Sequence, residues 1–578
     1  MKNQEIAKIF FEMADLLEMQ DIQWKPWAYR KAALTIQSLS QDIGDVLKLG
    51  KLTELPGVGE KLAEKIVEFI ETGKVMEYER LKKAFPVDVE ALGKIPGLGP
   101  KTIKLLYDEL KIKNLKDLEK AARLHLIRKI KHLGGKTEEN IMDGLALVKQ
   151  LIEGRMLLGF ALITANDLMN ELNKTRELKK LSAAGSLRRR KETIGDLDLL
   201  ATSADAVKAM NAFTSLKGIK QVIAKGKTKS MIRLENNLEI DLRVVEEKSF
   251  GAALQYFTGN KSHNIKLRTL ALKKGLKLNE YGLFEQKTGT QVAGKTEEEI
   301  YEKLGMQFIE PEMREDTGEI EAALEGRLPK LIEYEDVKGD LHCHTVASDG
   351  SNSIEEVILK AKQLGHEFIG ISDHTKKLAV ARGLNEKQIM KQKKIIEKLN
   401  EKEESIEVLM GLEANITKEG NIDVSNKVLK EMDYVIASIH WGMKMTEKEM
   451  TQRICNAMQN EFVTIIGHPT GRKIHEKEAY KLDLRQLFET AKQTSTLLEI
   501  NAYPIRLDLN DELIRQAKEI GARFSIGSDA HSLDQMNYYE LGASLARRGW
   551  LEKDKVVNAK GMKEIRKALK NKKKASST

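Results

Sequence analysis

Two carboxylates one residue apart, Asp196 and Asp198, stand in Gly195-Asp196-Leu197-Asp198-Leu199-Leu200, and a third, Asp241, stands in Leu238-Glu239-Ile240-Asp241-Leu242-Arg243-Val244. Alternate residues of a strand share a face, so Asp196 and Asp198 point one way while Leu197 and Leu199 point into a core. Asp241 alternates in the same way with Ile240 and Leu242, and if the two strands are neighbours three carboxylates converge. Such a group suits Mg²⁺, a hard cation whose other ligands are waters and substrate phosphates. Paired ions of this kind clamp the attacking and leaving oxygens of an in-line phosphoryl transfer. Upstream, the turn Gly185-Ser186 offers backbone N–H groups and a hydroxyl, and Arg188, Arg189 and Lys191 offer charge, for a triphosphate.

A second constellation lies in the C-terminal half, where strand-like apolar runs each end in a ligand type. His342 and His344 lead to Asp349; His374, Glu413, His440 and His468 close later runs, and Asp529 and His531 the last. Six of the 11 histidines stand at these ends. In His342-x-His344 and Asp529-x-His531 the spacing puts both side chains on one face, with Cys343 turned away. Imidazoles mixed with carboxylates, and no thiolates, select Zn²⁺, Mn²⁺ or Fe²⁺ ahead of Ca²⁺. Helical stretches such as 354–363 and 513–518 separate the runs. Strand, ligand, helix, repeated, predicts a parallel β/α barrel with its working residues at the C-terminal strand ends.

The elements that must position these groups begin with helices. Ile6, Phe10, Met13 and Leu17 recur at helical spacing, and Trp24-Lys25-Pro26-Trp27-Ala28-Tyr29-Arg30-Lys31 leads into another helix. Leu55-Pro56-Gly57-Val58-Gly59-Glu60-Lys61 and Ile95-Pro96-Gly97-Leu98-Gly99-Pro100-Lys101 are two helix-hairpin-helix signatures. The glycines permit a tight turn, and the helix that follows aims unpaired N–H groups at a phosphate. Gly57, Gly59, Lys61, Gly97, Gly99 and Lys101 are therefore expected to hold DNA backbone without reading its sequence.

At 578 residues the chain exceeds a single core, and 41% hydrophobic with 32% charged residues describes ordinary folded domains. The net charge of +9 fits a polyanionic partner. Only two cysteines, Cys343 and Cys455, exclude a disulfide framework. No apolar run suits a bilayer and no secretory layout opens the chain, so a cytoplasmic protein without membrane association is expected.

Gly-Ser, a basic spacer, Asp-x-Asp and a later lone Asp resemble the nucleotidyltransferase palm of family X DNA polymerases, relatives of DNA polymerase beta. Tyr256-Phe257-Thr258-Gly259, followed by Asn264 and Arg268, resembles that family's segment in which the aromatic pair and the glycine line the sugar pocket while Asn and Arg meet the incoming base and the template. The resemblance implies that Tyr256 and Phe257 exclude a ribose 2′-OH and that Gly185, Ser186 and Arg189 bind the triphosphate. The family carries an arginine where this chain has Glu239. Gly59 to Ile66 resembles the lyase helix of DNA polymerase beta, which implies Lys65 as Schiff-base nucleophile, with Lys61 as a phosphate contact and Tyr29 in the pocket; a solvated lysine on a DNA-facing helix is the alternative. The C-terminal half resembles the PHP (polymerase and histidinol phosphatase) domain, whose nine-ligand, three-metal cluster carries over onto His342, His344, Asp349, His374, Glu413, His440, His468, Asp529 and His531, with Glu413 as a metal bridge. Arg472 and Lys473, just past His468, are either a phosphate hold or a plain basic loop.

The resulting expectation is a multidomain α and α/β chain: a helical lyase-like DNA-binding domain at 1–82, a second hairpin domain at 83–150, a mixed-sheet palm at 151–247, and a nascent base-pair subdomain at 248–315. A linker at 316–333, a PHP barrel at 334–570 and a disordered basic tail at 571–578 follow. The implied activity is short-gap filling from dNTPs on gapped or nicked DNA, with Mg²⁺ in the palm. The barrel, holding up to three Zn²⁺ or Mn²⁺ ions, is implied to act as a 3′-5′ exonuclease, abasic-site endonuclease or 3′-phosphatase. A monomer that meets other repair proteins is expected. Two rivals remain at this point: a PHP phosphoesterase whose palm is a passive DNA clamp, and a non-catalytic DNA-end scaffold.

Overall fold

The computed structural model describes residues 2–575 apart from 21, 23, 38, 40–42, 94, 96, 97, 132, 154, 377, 379, 380 and 404. The chain forms two compact units, Met1–Lys149 and Gln150–Thr578.

The first unit is helical. The helix Lys2–Met19 buries Ile6, Phe10, Met13 and Leu17 against Tyr29, Ala32, Ala33 and Ile36 of the helix Lys25–Gln37, and Phe10 meets Tyr29 edge to face with ring centroids 5.4 Å apart. In the first hairpin Gly57 adopts φ +86°, a conformation that a side chain would strain, and extended Gly59 precedes the helix Glu60–Thr72. In the second, Gly99 precedes Pro100–Leu110, whose leading proline has no N–H to leave unpaired. Lys61 and Lys101 are exposed at the two helix starts. Gly97 lies outside the described residues.

The second unit begins with a mixed sheet: β1 (Lys180–Ala183), β2 (Asp196–Thr202), β3 (Ile219–Lys225), β4 (Lys229–Leu234) and β5 (Glu239–Val244), in the order β1-β2-β5-β4-β3. β2 and β5 are parallel and the other pairs antiparallel. Leu197, Leu199, Ile240 and Leu242 are buried, as the alternation requires. The helices Phe250–Thr258 and Lys261–Lys273, a small antiparallel sheet and the helix Glu297–Lys303 follow.

The strands from Gly339 on are all parallel among the described residues: β6 (Gly339–Cys343), β7 (Phe368–Ile371), β8 (Glu407–Met410), β9 (Glu413–Asn415), β10 (Ile436–Ser438), β11 (Ile465–Ile466), β12 (Leu497–Asn501) and β13 (Phe524–Gly527). β8 and β9 are two halves of one run; β8 pairs with β7 and β9 with β10, and parallel bridges His374–Glu413 and Cys343–Ala530 close the ring. The barrel thus has seven strand positions among the described residues. Tyr434 fills its centre: a Cβ on Gly370 or Gly411 would overlap its ring, at 2.1 and 2.2 Å, and its hydroxyl donates to the Leu341 carbonyl at 2.7 Å. The stretch expected as a linker is packed, because the helix Glu319–Leu324 buries Glu319, whose Oε1 meets His263 Nδ1 at 2.7 Å. The expected disordered tail begins as helix, since Met562–Ala575 is helical; 576–578 lie outside the described residues.

Buried guanidinium groups join these parts. Arg188 pairs with both oxygens of Glu297, at 3.0 and 2.5 Å, and Arg314 Nη1 reaches Glu297 Oε1 at 2.6 Å from between the rings of Tyr301 and Phe308. Arg547 bonds Glu312 at 2.8 Å and Glu333 at 2.7 Å. Burial alone would raise the Glu297 carboxyl, but the charges of Arg314 and Arg188 bring it down to about 2. Its stabilising contribution is therefore present above the ordinary carboxylate value of 4.5 and is lost only as pH falls toward about 2. Glu297→Ala strands two buried arginines, so a loss of roughly 3–5 kcal/mol is expected. Denaturant unfolding at neutral pH measures it, and an unchanged midpoint would contradict this account.

Candidate metal centres

In the palm the register sets Asp198 of β2 directly beside Asp241 of β5, and Asp196 beside Glu239. Asp196 is exposed while Asp198 and Asp241 are half-buried. Gly185 roofs the pair: at φ +59°, a Cβ there would stand 2.2 Å from Asp198 Oδ2, so any side chain would displace the carboxylate. The preceding Ala184 donates its N–H to the Asp198 carbonyl at 2.8 Å, and Gly185 opens the short helix Gly185–Arg188 that holds Ser186. Burial, then the charges of Asp196 and Asp241, push the Asp198 carboxyl up to about 6. Lys229 Nζ, 2.9 Å from Asp241 Oδ2, offsets part of that repulsion. Glu239 faces Arg233 of β4 and pairs with it.

The residues expected to line a sugar pocket gather beside this face. Tyr256 and Phe257 meet edge to face at 5.2 Å, and the Arg243 guanidinium lies 4.5 Å over the Phe257 ring. Asn264 is buried; its Nδ2 donates to the Tyr256 carbonyl at 2.6 Å and its Oδ1 accepts from Gln255 at 2.8 Å. Arg268, one turn on, donates to the Asn264 carbonyl at 3.3 Å. Arg189 is bound to Glu315 and to the Thr258 carbonyl beside Gly259, and Arg188 is committed to Glu297.

In the barrel all nine residues converge. Glu413 Oε2 lies 3.5, 3.6 and 2.8 Å from nitrogens of His342, His344 and His374, and Oε1 lies 3.3 and 3.1 Å from His440 and His468. Asp529 Oδ1 approaches His344 at 3.3 Å and His342 at 3.6 Å; Asp349 approaches His531 at 3.4 Å and His374 at 3.5 Å. Three overlapping sets could each hold an ion: His344, Asp349, His374 and His531; His342, His344 and Asp529; His374, Glu413 and His440. Among the described residues, buried His342 Nε2, both nitrogens of His344, His374 Nδ1, Glu413 Oε2 and His468 Nδ1 have no hydrogen-bond partner. Donors that close without hydrogen-bond alignment are what ligands of shared cations look like, so the residues fit metals.

Burial would raise the Glu413 and Asp529 carboxyls, but the surrounding histidines hold both well below the usual range. Burial and the charges of His531 and His374 push His344 down to about 4, so at neutral pH its ring is uncharged and one nitrogen carries a free lone pair suited to a metal. His468 (φ +29°) and Asp529 (φ +55°) adopt backbone conformations uncommon for side-chain-bearing residues.

Sequence reasoning missed the groups that orient these ligands. Glu499, buried in β12, accepts from His342 Nδ1 at 2.5 Å and from the His468 N–H at 2.6 Å; Asn415 Oδ1 binds His440 Nδ1 at 2.7 Å. A charged residue inside the apolar run Leu497-Leu498-Glu499-Ile500 was the one available signal. Arg506 Nε lies 3.4 Å from Asp529. Arg472, read as phosphate hold or basic loop, is bound to Glu192 of the palm and to the Leu507 carbonyl.

Carboxylates on a nucleotidyltransferase-like sheet and an imidazole-carboxylate nest in a barrel define a metal-dependent enzyme of phosphate chemistry with two centres. Family models described as DNA polymerase beta thumb, PHP domain, helix-hairpin-helix domain and SAM-like helix-hairpin-helix tandem match residues 253–315, 340–503, 1–75 and 78–146. The DNA polymerase/3′-5′ exonuclease PolX of Bacillus subtilis is 36% identical over 573 residues, 99% of this chain and 100% of that protein. A probable phosphatase of Thermoanaerobacter sp. is 32% identical over 245 residues, 40% of this chain and 95% of its own. DNA polymerase lambda of Rattus norvegicus is 26% identical over 345 residues, 54% of this chain and 56% of its own. The chain belongs to the family X DNA polymerases that carry a C-terminal PHP domain.

Because folding raises the Asp198 carboxyl from 3.8 to about 6, its charge opposes folding fully above about pH 6 and not at all below about pH 4. Asp198→Asn is therefore expected to raise the unfolding free energy of the metal-free protein at pH 8 by an amount on the order of 1–3 kcal/mol, and to abolish the further stabilisation expected of Mg²⁺ in the wild type. Calorimetry with and without Mg²⁺ decides; a variant less stable than the wild type without metal would refute the repulsion.

Proposed function

We propose that the chain fills short DNA gaps by template-directed nucleotide addition in its palm and hydrolyses phosphoesters at 3′ ends or abasic sites in its barrel. The observation that carries this reading is the register pairing of Asp198 with Asp241 beneath Gly185, in one chain with nine ligand residues gathered on Glu413. Asp196, Asp198 and Asp241 would hold Mg²⁺, and Gly185, Ser186 and Arg189 would receive the triphosphate. Tyr256, Phe257 and Gly259 would wall the sugar, with Asn264 holding that wall through the Tyr256 carbonyl and Arg268 facing the template. The nine barrel residues would hold up to three Zn²⁺ or Mn²⁺ ions, with Glu413 offering one oxygen to each side. When bound, such ions neutralise phosphoryl oxygens in both centres and supply hydroxide at neutral pH in the barrel. Glu499 and Asn415 fix which imidazole nitrogen faces the centre.

Gapped or nicked DNA and dNTPs are the substrates this reading requires, with the hairpin turns at Gly57 and Gly99 holding backbone phosphates. An intact palm triad weighs against a passive clamp, and two ligand nests weigh against a scaffold. A lyase reading has one observation in its favour: Lys65 Nζ stands 2.8 Å from Glu77, whose other neighbour is the Tyr29 hydroxyl at 3.4 Å. The carboxylate can take the proton that the Lys65 ammonium must lose before its nitrogen attacks the abasic carbonyl, a proton returned when the carbonyl oxygen leaves as water. Borohydride trapping on a nicked abasic duplex is expected to give an adduct that Lys65→Ala abolishes; an adduct surviving the substitution removes the assignment.

One labelled gapped duplex tests the main reading. With Mg²⁺ or Mn²⁺, Asp198→Asn should lose extension by at least about a hundredfold while keeping hydrolysis, and His344→Ala should do the reverse. Loss of both activities in either variant would overturn the two-centre assignment.

A further inference from the structure

Arg189, the candidate triphosphate ligand, is gripped from the barrel side. Its Nη1 donates to the carbonyl of Thr258, the last residue of the helix that carries Tyr256 and Phe257, and its Nε donates to Glu315 Oε1 at 3.1 Å. The same Oε1 accepts from Arg548 Nη1 at 3.2 Å, and Arg548 Nη1 also donates to the backbone carbonyl of Arg189 at 2.5 Å. Arg548 closes the barrel helix Tyr539–Arg548, its side chain is 1% exposed, and its Nη2 is anchored on Asp511. Asn260 Nδ2 holds the other oxygen of Glu315 at 3.0 Å.

A lone carboxylate facing Arg189 would neutralise it. Here Glu315 is shared with Arg548, and Lys191 Nζ stands 3.9 Å away. Three cations, Arg189, Arg548 and Lys191, face two anions, Glu315 and Asp511, so the two carboxylates do not neutralise every cation in contact with them. Burial would raise the Glu315 carboxyl, but Arg548, Arg189 and Lys191 hold it down, so it stays ionised and binds both arginines. Removing Arg548 would leave Glu315 to Arg189 and Lys191 alone, and a triphosphate would have to compete with the carboxylate.

We propose that Arg548, a barrel residue, is a positioning residue of the polymerase centre: by sharing Glu315 and holding the Arg189 backbone, it leaves the Arg189 guanidinium available to the triphosphate of an incoming nucleotide. The C-terminal half is thus part of the nucleotide-binding apparatus as well as a hydrolase. This inference rests on the palm reading given above.

Steady-state extension on a gapped duplex tests it in the full-length protein. Arg548→Ala is expected to raise the dNTP KM roughly tenfold or more, the scale of one charge-assisted bond, with kcat changed less than about twofold and 3′ hydrolysis by the barrel unaltered. Adding Glu315→Gln should return KM to within about threefold of wild type, because the competing charge is gone; a fold defect would persist in the double variant. Arg548→Lys should give an intermediate KM and carries the decision alone if the alanine variant does not fold. A KM within twofold of wild type in the variant that folds, or a KM rise that Glu315→Gln does not relieve, overturns the proposal. Absence of extension by the wild type would instead sink the palm reading itself.

Discussion

A carboxylate with almost no solvent access, Glu413, ringed by five imidazoles within 3.6 Å, is the arrangement on which the barrel half turns. Ionised groups leave water at a cost of several kcal/mol each unless they are paired or bind metal. A ring of seven parallel strands makes such a concentration possible, because each strand's C-terminal end delivers one or two side chains to the same opening while its other residues are spent on an apolar core. Tyr434, seated on Gly370 and Gly411, fixes that core and so the spacing of the strand ends. Glu499 and Asn415 then set the ring orientations of His342 and His440.

The palm faces the same constraint in a milder form. Its three carboxylates have Lys229 as the cation in contact with Asp241 and stand at the edge of solvent, so the repulsion appears as a raised carboxyl on Asp198. Burial adds to that repulsion, and both act against the ionised Asp198 carboxylate. Gly185 belongs to the same logic: its backbone comes so close to the Asp198 carboxylate that any side chain would fill the space.

Arginines hold the second unit together as one body. Arg188 and Arg314 converge on Glu297, Arg472 reaches Glu192, Arg547 holds Glu312 and Glu333, and Arg548 links Asp511, Glu315 and the Arg189 carbonyl. Most of these bonds cross from the barrel to the palm or to the segment between them. Planar guanidinium groups can satisfy several acceptors from different elements at once, which fits them to a junction where three pieces of chain meet.

Much of this was legible along the chain. Alternation placed Asp196 and Asp198 on one face, the repeated strand-ligand-helix order gave a parallel barrel, and the hairpin glycines announced their turns, because periodicity and backbone freedom are local properties. What local patterns could not carry was partnership. The charges on Arg188 and Arg189 read as phosphate ligands, yet Glu297 lies more than a hundred residues from the first of them, and Glu315 and Arg548 are just as distant from the second. Arg472 read as phosphate hold or loop until Glu192 appeared beside it. The stretch at 316–333 read as a linker because no local pattern announces that His263, 56 residues from Glu319, meets its carboxylate in space. Residue types and their period therefore determined which chemistry the chain could perform. The tertiary structure alone decided which charges remain available to perform it, since a buried charge is defined by its neighbour and neighbours here are chosen across the fold.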